Sequence, residues 1–236
     1  MKTGKILNLS QQYFEHHFSE ENKSAEDLSL LLEKTSASIK DYFCYVLLDF
    51  AKVDSDMEGI ALGHAFELSE VLNLKNEFEK IYQSNLILGD DHLEFNILKL
   101  TNNSLGFDLF CVDVPNLLYK DYVYSFDDTE RFLAFQIATL DWVLTLENKP
   151  DVIHTHDHHT GLIPFMISQC FKYETLKNLP TVLTIHNAQY QGWFELNKVH
   201  LLPQFNFDNV GLLDWDGSIN PLAAAIKCAW KVTTVS

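Results

Sequence analysis

Asp151-Val152-Ile153-His154-Thr155-His156-Asp157-His158-His159-Thr160-Gly161 decides how this chain folds. It opens as a short apolar strand, empties into four histidines and a carboxylate, and closes on a glycine. Leu162 to Leu176 then carries apolar residues at helical spacing. Downstream, Thr181 to Ile185 reads as a buried strand after Pro180 and again ends in polar residues, His186 and Asn187. A strand, a helix and a second strand in this order form the unit of a parallel sheet with helices on its faces. In such sheets ligands bind beyond the carboxyl ends of the strands. Both histidine-bearing ends therefore belong at one edge, over one pocket.

The alternation extends in both directions. Asp127 and Glu130 resemble a capping box opening a long helix to about Leu146. A further helix is expected over about Leu222 to Trp230, and Val232 to Val235 starts another strand. Upstream, Leu86-Ile87-Leu88 and Leu93 to Ile97 flank Gly89-Asp90-Asp91, the chemistry of a hairpin turn. Leu109 to Val112 is a short strand closed by Asp113 and Pro115. Before about Lys80 the language changes. Ser24 suits an N-cap, with Glu26 and Asp27 in the first turn. Leu28, Leu31, Leu32, Ile39 and Phe43 recur at helical spacing, and Ala61 to Leu74 repeats the pattern. The expected organisation is an acidic helical segment over residues 1–80, then an α/β unit over 81–236 built on a partial Rossmann-like parallel sheet.

Composition narrows the function. The chain has 236 residues and a formal net charge of −16, with Arg131 as its sole arginine. Residues 1–118 hold 20 acidic and 9 basic side chains, and residues 119–236 hold 13 and 8. Phosphate neutralisation needs clustered Lys and Arg, so nucleic acid is not an expected partner. No apolar run is long enough for a bilayer span, and the N-terminal residues turn acidic too early for a signal peptide. Cys44, Cys111, Cys170 and Cys228 are far apart with no CxxC pair. They read as buried free thiols of a reducing cytoplasm.

Five of the ten histidines lie between residues 154 and 186. One reading is a polar site next to a helix N-terminus, where dipole and free N–H groups favour an anion. Another is zinc, since His154 and His156 share one face of a strand, although five ligand candidates crowd a single loop. The plainest is that His154 and His158 satisfy backbone groups in the turn. Arg131 sits in the first turn of its helix, where a cation opposes the dipole and needs a partner. That partner is a carboxylate one turn back, Asp128 or Asp127, or else the arginine clamps the loop at the ligand edge. Val53 to Gly59 resembles the start of a calcium loop, but the twelfth position counted from Asp54 is Ala65 where a bidentate Glu is required. No Walker loop, GxGxxG or GxSxG occurs.

At this point the chain resembles a known family. PDVIHTHDHHTGL, LTIHNAQYQGWF and the terminal VTTVS, with DDTERFLAFQIATLDW and SLGFDLFCVDVPNLLY upstream, are similar to the catalytic domain of glycogen and starch synthases over about residues 84–236. The resemblance implies the N-terminal lobe of the two-lobed GT-B architecture. It also implies transfer of glucose from ADP-glucose or UDP-glucose to an α-1,4-glucan, with retention and without a metal or other cofactor. Carried over by motif, His186 and Asp157 are the catalytic positions. His159, Asn187, Gln191, Gly192 and Thr160 are substrate-binding positions, and Arg131 with Asp128 forms a structural clamp.

Three departures accompany the resemblance. His158 stands where the family has Trp. The family's K-x-G-G-L loop has only Lys2-Thr3-Gly4 to match it, followed by Lys5. The similarity reaches Ser236 inside a strand block, so the C-terminal lobe is expected to be missing and the chain alone to be inactive. The alternative is a non-catalytic glucan-binding or regulatory remnant fused to a helical adaptor.

Overall fold

The computed structural model describes residues 46–51, 57–64, 78–101, 108–118 and 126–234. The Ser24 cap, the helical stretches over 24–45 and 65–77, the Lys2-Thr3-Gly4 fragment, Cys44 and residues 53–56 of the calcium-like run lie outside them, as do Val235 and Ser236.

One eight-stranded sheet dominates. Its strands are β1 (Val46–Ala51), β2 (Met57–His64), β3 (Phe78–Leu88), β4 (Asp91–Leu100), β5 (Asp108–Asp113), β6 (Val152–His156), β7 (Thr181–Ile185) and, last in the chain, β11 (Lys231–Thr234). They lie side by side in the order β11-β7-β6-β1-β2-β5-β4-β3. Helix α1 (Asp128–Thr145) lies between β5 and β6 in the chain, and helix α2 (Ile163–Gln169) between β6 and β7. A small sheet of β8 (Phe194–Glu195), β9 (Asp214–Trp215) and β10 (Ser218–Ile219) precedes helix α3 (Pro221–Cys228).

The α/β class expected from the alternation is present, but the sheet is mixed. β6, β7 and β11 are parallel neighbours, as are β2 and β5. β1 runs antiparallel to both β2 and β6, and β4 runs antiparallel to β3 and β5. The β3–β4 pair could not be otherwise. Its two-residue loop, with Gly89 at φ +63°, pairs Leu88 with Asp91, and a tight loop joins only antiparallel strands.

Residues 46–51 and 57–64 correct the expectation of a helical segment before residue 80. Both are strands, hydrogen-bonded into the middle of the same sheet as the histidine-bearing strand. Short apolar runs such as Val46-Leu47-Leu48 satisfy either period, and pairing with sheet neighbours decides between them.

The helix expected over 162–176 is also shorter than its pattern. It stops at Gln169, and Cys170 turns extended at φ −82°, ψ 130° before a 3₁₀ segment from Phe171 to Leu176. The cause is tertiary: Cys170 bridges to Phe205, its thiol donates to the Pro203 carbonyl at 3.3 Å, and the Phe171 N–H donates to Gln204 O at 3.0 Å. At the start of α1, Asp127 makes no side-chain cap bond, and Glu130 instead accepts from Lys198 at 2.8 Å.

The core lies between the sheet and α1. Phe95, Ile97, Leu133, Phe135, Ile137, Leu140 and Val143 are fully enclosed, each stabilising the fold by about 2 kcal/mol of apolar burial. Phe110 and Trp142 meet at 4.9 Å between ring centroids. With α1 fixed on the sheet in this way, its first turn lies beside the carboxyl ends of β6 and β7.

Candidate active site

β6 and β7 are parallel and in register, with His156 opposite Thr184, so their ends deliver residues 156–160 and 186–192 to one place. Asp157 joins the two. Its N–H donates to Thr184 O at 3.0 Å, and its Oδ1 accepts from the amides of His186 at 2.7 Å and Asn187 at 3.2 Å. The backbone of Asp157 stands at φ 52°, ψ −163°, close to a region that only glycine occupies freely and costing about 1–3 kcal/mol elsewhere. Three hydrogen bonds hold it there.

Beside this brace three histidine rings cluster at tilted angles. His154 and His156 lie 4.1 Å apart by ring centroids, and His156 and His186 lie 5.2 Å apart, with His156 Nδ1 and His186 Nε2 at 2.9 Å. His154 Nε2 meets Thr184 Oγ1 at 2.6 Å, which meets Thr233 Oγ1 at 2.7 Å, which donates to Leu183 O at 3.3 Å. Because the last acceptor is a carbonyl, the hydroxyl protons all point toward it, and His154 Nε2 must carry the proton it donates. Its Nδ1 is then a bare lone pair, buried with no hydrogen bond among the described residues. The partner of His154 is thus a side chain, where a backbone group was expected.

The surroundings of all three rings disfavour the charged form. Burial pulls His154 down to about 4, with the nearby His186 adding to it. Burial likewise holds His156 well below the usual histidine range, helped by His154 and His186. His186 is lowered by burial and partly restored by Asp157. Among the described residues no three His, Cys, Asp or Glu side chains are grouped to hold a metal ion.

Next to the brace lies a cavity of about 360 Å³, within the range of ligand sites. α1 contributes Asp128, Phe132 and Gln136; the turn after β6 contributes His158; the loop after β7 contributes Tyr190, Gln191, Gly192 and Trp193. His158 Nδ1 lies 3.1 Å from the Tyr190 carbonyl, the backbone partner its sequence position suggested. Gly192 is at φ +68°, and a Cβ there would lie 2.4 Å from His158 Cδ2, so the loop packs directly on that ring. Gln191 Oε1 accepts from Asn220 Nδ2 at 2.7 Å, and Asn220 Oδ1 in turn caps α3 by accepting from the Ala223 N–H at 2.9 Å.

The remaining candidates divide. Arg131 is completely buried and donates to Asp128 at 2.7 Å and to the carbonyl of Leu118 at 3.0 Å. It therefore has both the carboxylate one turn back and a loop to hold. His159 packs against Phe132 at 4.8 Å and His158 at 3.7 Å by ring centroids. Thr160 faces inward: its hydroxyl accepts from the His156 N–H and donates to the His156 carbonyl. It is fully buried, so it shapes the turn and does not meet a substrate.

Sequence reasoning missed Asn220, Phe132, Tyr190 and Trp193 as parts of the site. Asn220-Pro221 carries a helix-start signal, but nothing in it points to Gln191. Tyr190 and Trp193 are half or more exposed, at 53% and 69%, and large exposed aromatics beside a cavity become a signal only once the loop is placed.

The family described as starch synthase catalytic domain matches residues 55–236, beginning ahead of the residue 84 from which the sequence resemblance runs. A glycogen synthase of Flavobacterium johnsoniae is 46% identical over 163 residues, 69% of this chain and 34% of that protein. One from Streptococcus gordonii is 32% identical over 165 residues, again 34% of its length. The chain thus spans about a third of the curated relatives it matches. The catalytic domain of starch synthase IV from Arabidopsis thaliana, solved with ADP and acarbose, shares the fold. Its TM-score is 0.59 at 22% identity, over 68% of this chain and 34% of that one. Cysteines 111, 170 and 228 are free thiols, and no helix among the described residues is long and apolar enough to cross a membrane. With the paired strand ends, the histidine cluster and a match over most of its length, the chain belongs to the starch synthase catalytic domain family.

Proposed function

We propose that this chain supplies the sugar-binding side of a glycogen synthase-type glucosyltransferase. Glucose is moved from ADP-glucose or UDP-glucose to the non-reducing end of an α-1,4-glucan, with retention, and no cofactor beyond the donor itself takes part. The observation that carries this reading is the cavity beside the Asp157 brace. Phe132, Tyr190 and Trp193 offer aromatic surface for the apolar faces of sugar rings, and Gln189 offers an amide for their hydroxyls. The glycogen synthases to which the chain is similar and the ADP- and acarbose-bound starch synthase IV point to the same substrates. Free thiols support a cytoplasmic setting.

In this mechanism the bond from glucose C1 to the diphosphate breaks, and the acceptor hydroxyl oxygen bonds to C1 on the same face. Its proton leaves with the diphosphate. Positive charge builds at C1, and the protein acts by position and electrostatics. Asp157 fixes the His186 and Asn187 amides, so the His186 ring and carbonyl are held rigidly toward the reacting sugar. Neutral His156 and His186 matter here, because an imidazolium would repel the developing cation. His159, Gln191 and Gly192 shape the acceptor side.

The test is a graft. The aligned 163-residue segment of the Flavobacterium johnsoniae glycogen synthase is replaced by that of this chain, and labelled glucose is followed from ADP-glucose and UDP-glucose into glycogen. Incorporation supports glucosyl transfer. A folded graft that binds maltoheptaose yet transfers glucose from neither donor shows binding alone and overturns the proposal.

A further inference from the structure

His158 occupies the wall of the cavity between Phe132 and Gly192 and is only 6% exposed. Its orientation is fixed on three sides. Nδ1 lies on the Tyr190 carbonyl at 3.1 Å, Gly192 packs on the ring with no room for a Cβ, and the tilted His159 ring lies 3.7 Å away by centroids. A carbonyl only accepts, so Nδ1 carries the ring proton. Burial favours the neutral ring, against the opposing pull of Asp157, the Tyr190 carbonyl and Asp128. A neutral imidazole with its proton on Nδ1 has a lone pair on Nε2, and no described residue donates to it.

We infer that His158 is a specificity-determining residue of this site, whose Nε2 lone pair accepts a hydrogen bond from a hydroxyl of the glucan bound in the cavity. The inference rests on the reading of the cavity as a glucan site. Tryptophan, which the family carries at this position by resemblance, has an N–H donor and no acceptor. The exchange reverses the polarity of the contact, from a group that gives a hydrogen bond to one that takes it. Sugar hydroxyls can answer either way, so the same substrate class is kept while its orientation is reset. The pinned ring makes the acceptor pre-organised, which lowers the cost of ordering it on binding.

The experiment uses the whole 236-residue chain with ¹⁵N-labelled histidine and maltoheptaose as probe. Imidazole ¹⁵N spectra identify which nitrogen is bare, and calorimetry gives affinity for the wild type, His158→Phe and His158→Gln. In the expected result Nε2 is the unprotonated nitrogen and its resonance moves as maltoheptaose saturates. His158→Phe then weakens binding by about ten-fold, the order of one hydrogen bond, and His158→Gln, which restores an acceptor, recovers most of it. A protonated Nε2, or one unmoved at saturation, overturns the inference and leaves the glucan site standing. Absence of maltoheptaose binding by the folded wild type overturns both. The spectrum of the wild type decides the matter even if a variant fails to fold.

Discussion

Replacing Asp157 by glycine and by alanine separates what its side chain does from what its backbone bears. Both changes remove the carboxylate that accepts from the His186 and Asn187 amides. Two hydrogen bonds to a charged acceptor are worth about 3–6 kcal/mol together, so both variants lose stability. They differ in the conformation they must still adopt. At φ 52°, ψ −163° alanine keeps a strain of about 1–3 kcal/mol that glycine sheds. Glycine loses about 0.5–1 kcal/mol through its extra freedom when unfolded. The balance leaves Asp157→Gly more stable than Asp157→Ala by about 0–2.5 kcal/mol, centred near 1, the reverse of the usual order. Urea unfolding followed by circular dichroism measures the difference directly, and the shared loss of the carboxylate cancels. If the alanine variant equals or exceeds the glycine variant, the backbone at 157 is not strained and the brace is misdescribed.

Three further outcomes follow from the same geometry. His154, pulled down to about 4 in the folded state from about 6.5 when unfolded, is a base that the unfolded chain protonates first. Its stabilising contribution is full above pH 6.5 and is lost as pH falls toward 4, reaching about 2 kcal/mol at pH 5; buried Asp141, raised by desolvation, acts in the opposite direction. Urea midpoints from pH 7.5 to 5 should therefore fall less steeply in His154→Gln than in the wild type, and equal slopes would remove His154 from the account. Gly192→Ala places a Cβ 2.4 Å from the His158 ring at φ +68°; it should cost about 2–4 kcal/mol through overpacking and backbone strain and weaken maltoheptaose binding, measured by thermal melt and calorimetry. Arg131→Lys keeps the charge but cannot serve both Asp128 and the Leu118 carbonyl with one planar fork, and a loss of about 3 kcal/mol is expected in denaturant titration; an unchanged midpoint would show that the buried guanidinium holds nothing.

What could be read from the sequence divides along physical lines. β6, β7, the β3–β4 hairpin and α1 were legible because each shows its own period and its own punctuation, such as Gly89-Asp90 or Pro180. Convergence of His156, Asp157, His186 and Asn187 was legible too, because parallel strands must end on the same edge. Residues 46–51 and 57–64 were not, since segments of six to eight residues with short apolar runs fit a helix face as well as a strand, and only the sheet neighbours decide. Nor could the sequence show the glycine-like backbone of Asp157, which follows from three hydrogen bonds to residues about 30 positions away. The Leu118 carbonyl that Arg131 grips and the Gln191–Asn220 bond are likewise products of packing. His158 was readable as a satisfier of backbone, which it is. Its place in the cavity wall appears only when the loop carrying Tyr190 and Gly192 is laid against it.

The central claim is that the Asp157-braced strand ends form the sugar side of a glucosyl-transfer site. The most direct measurement compares kcat for glucose transfer to glycogen by the glycogen synthase graft with and without Asp157→Asn, a change that keeps an acceptor atom and removes the charge. The account predicts transfer by the unsubstituted graft and a fall of about 100-fold or more in the variant, the scale of losing one electrostatic element of a pre-organised site. Equal rates in two folded grafts would contradict it.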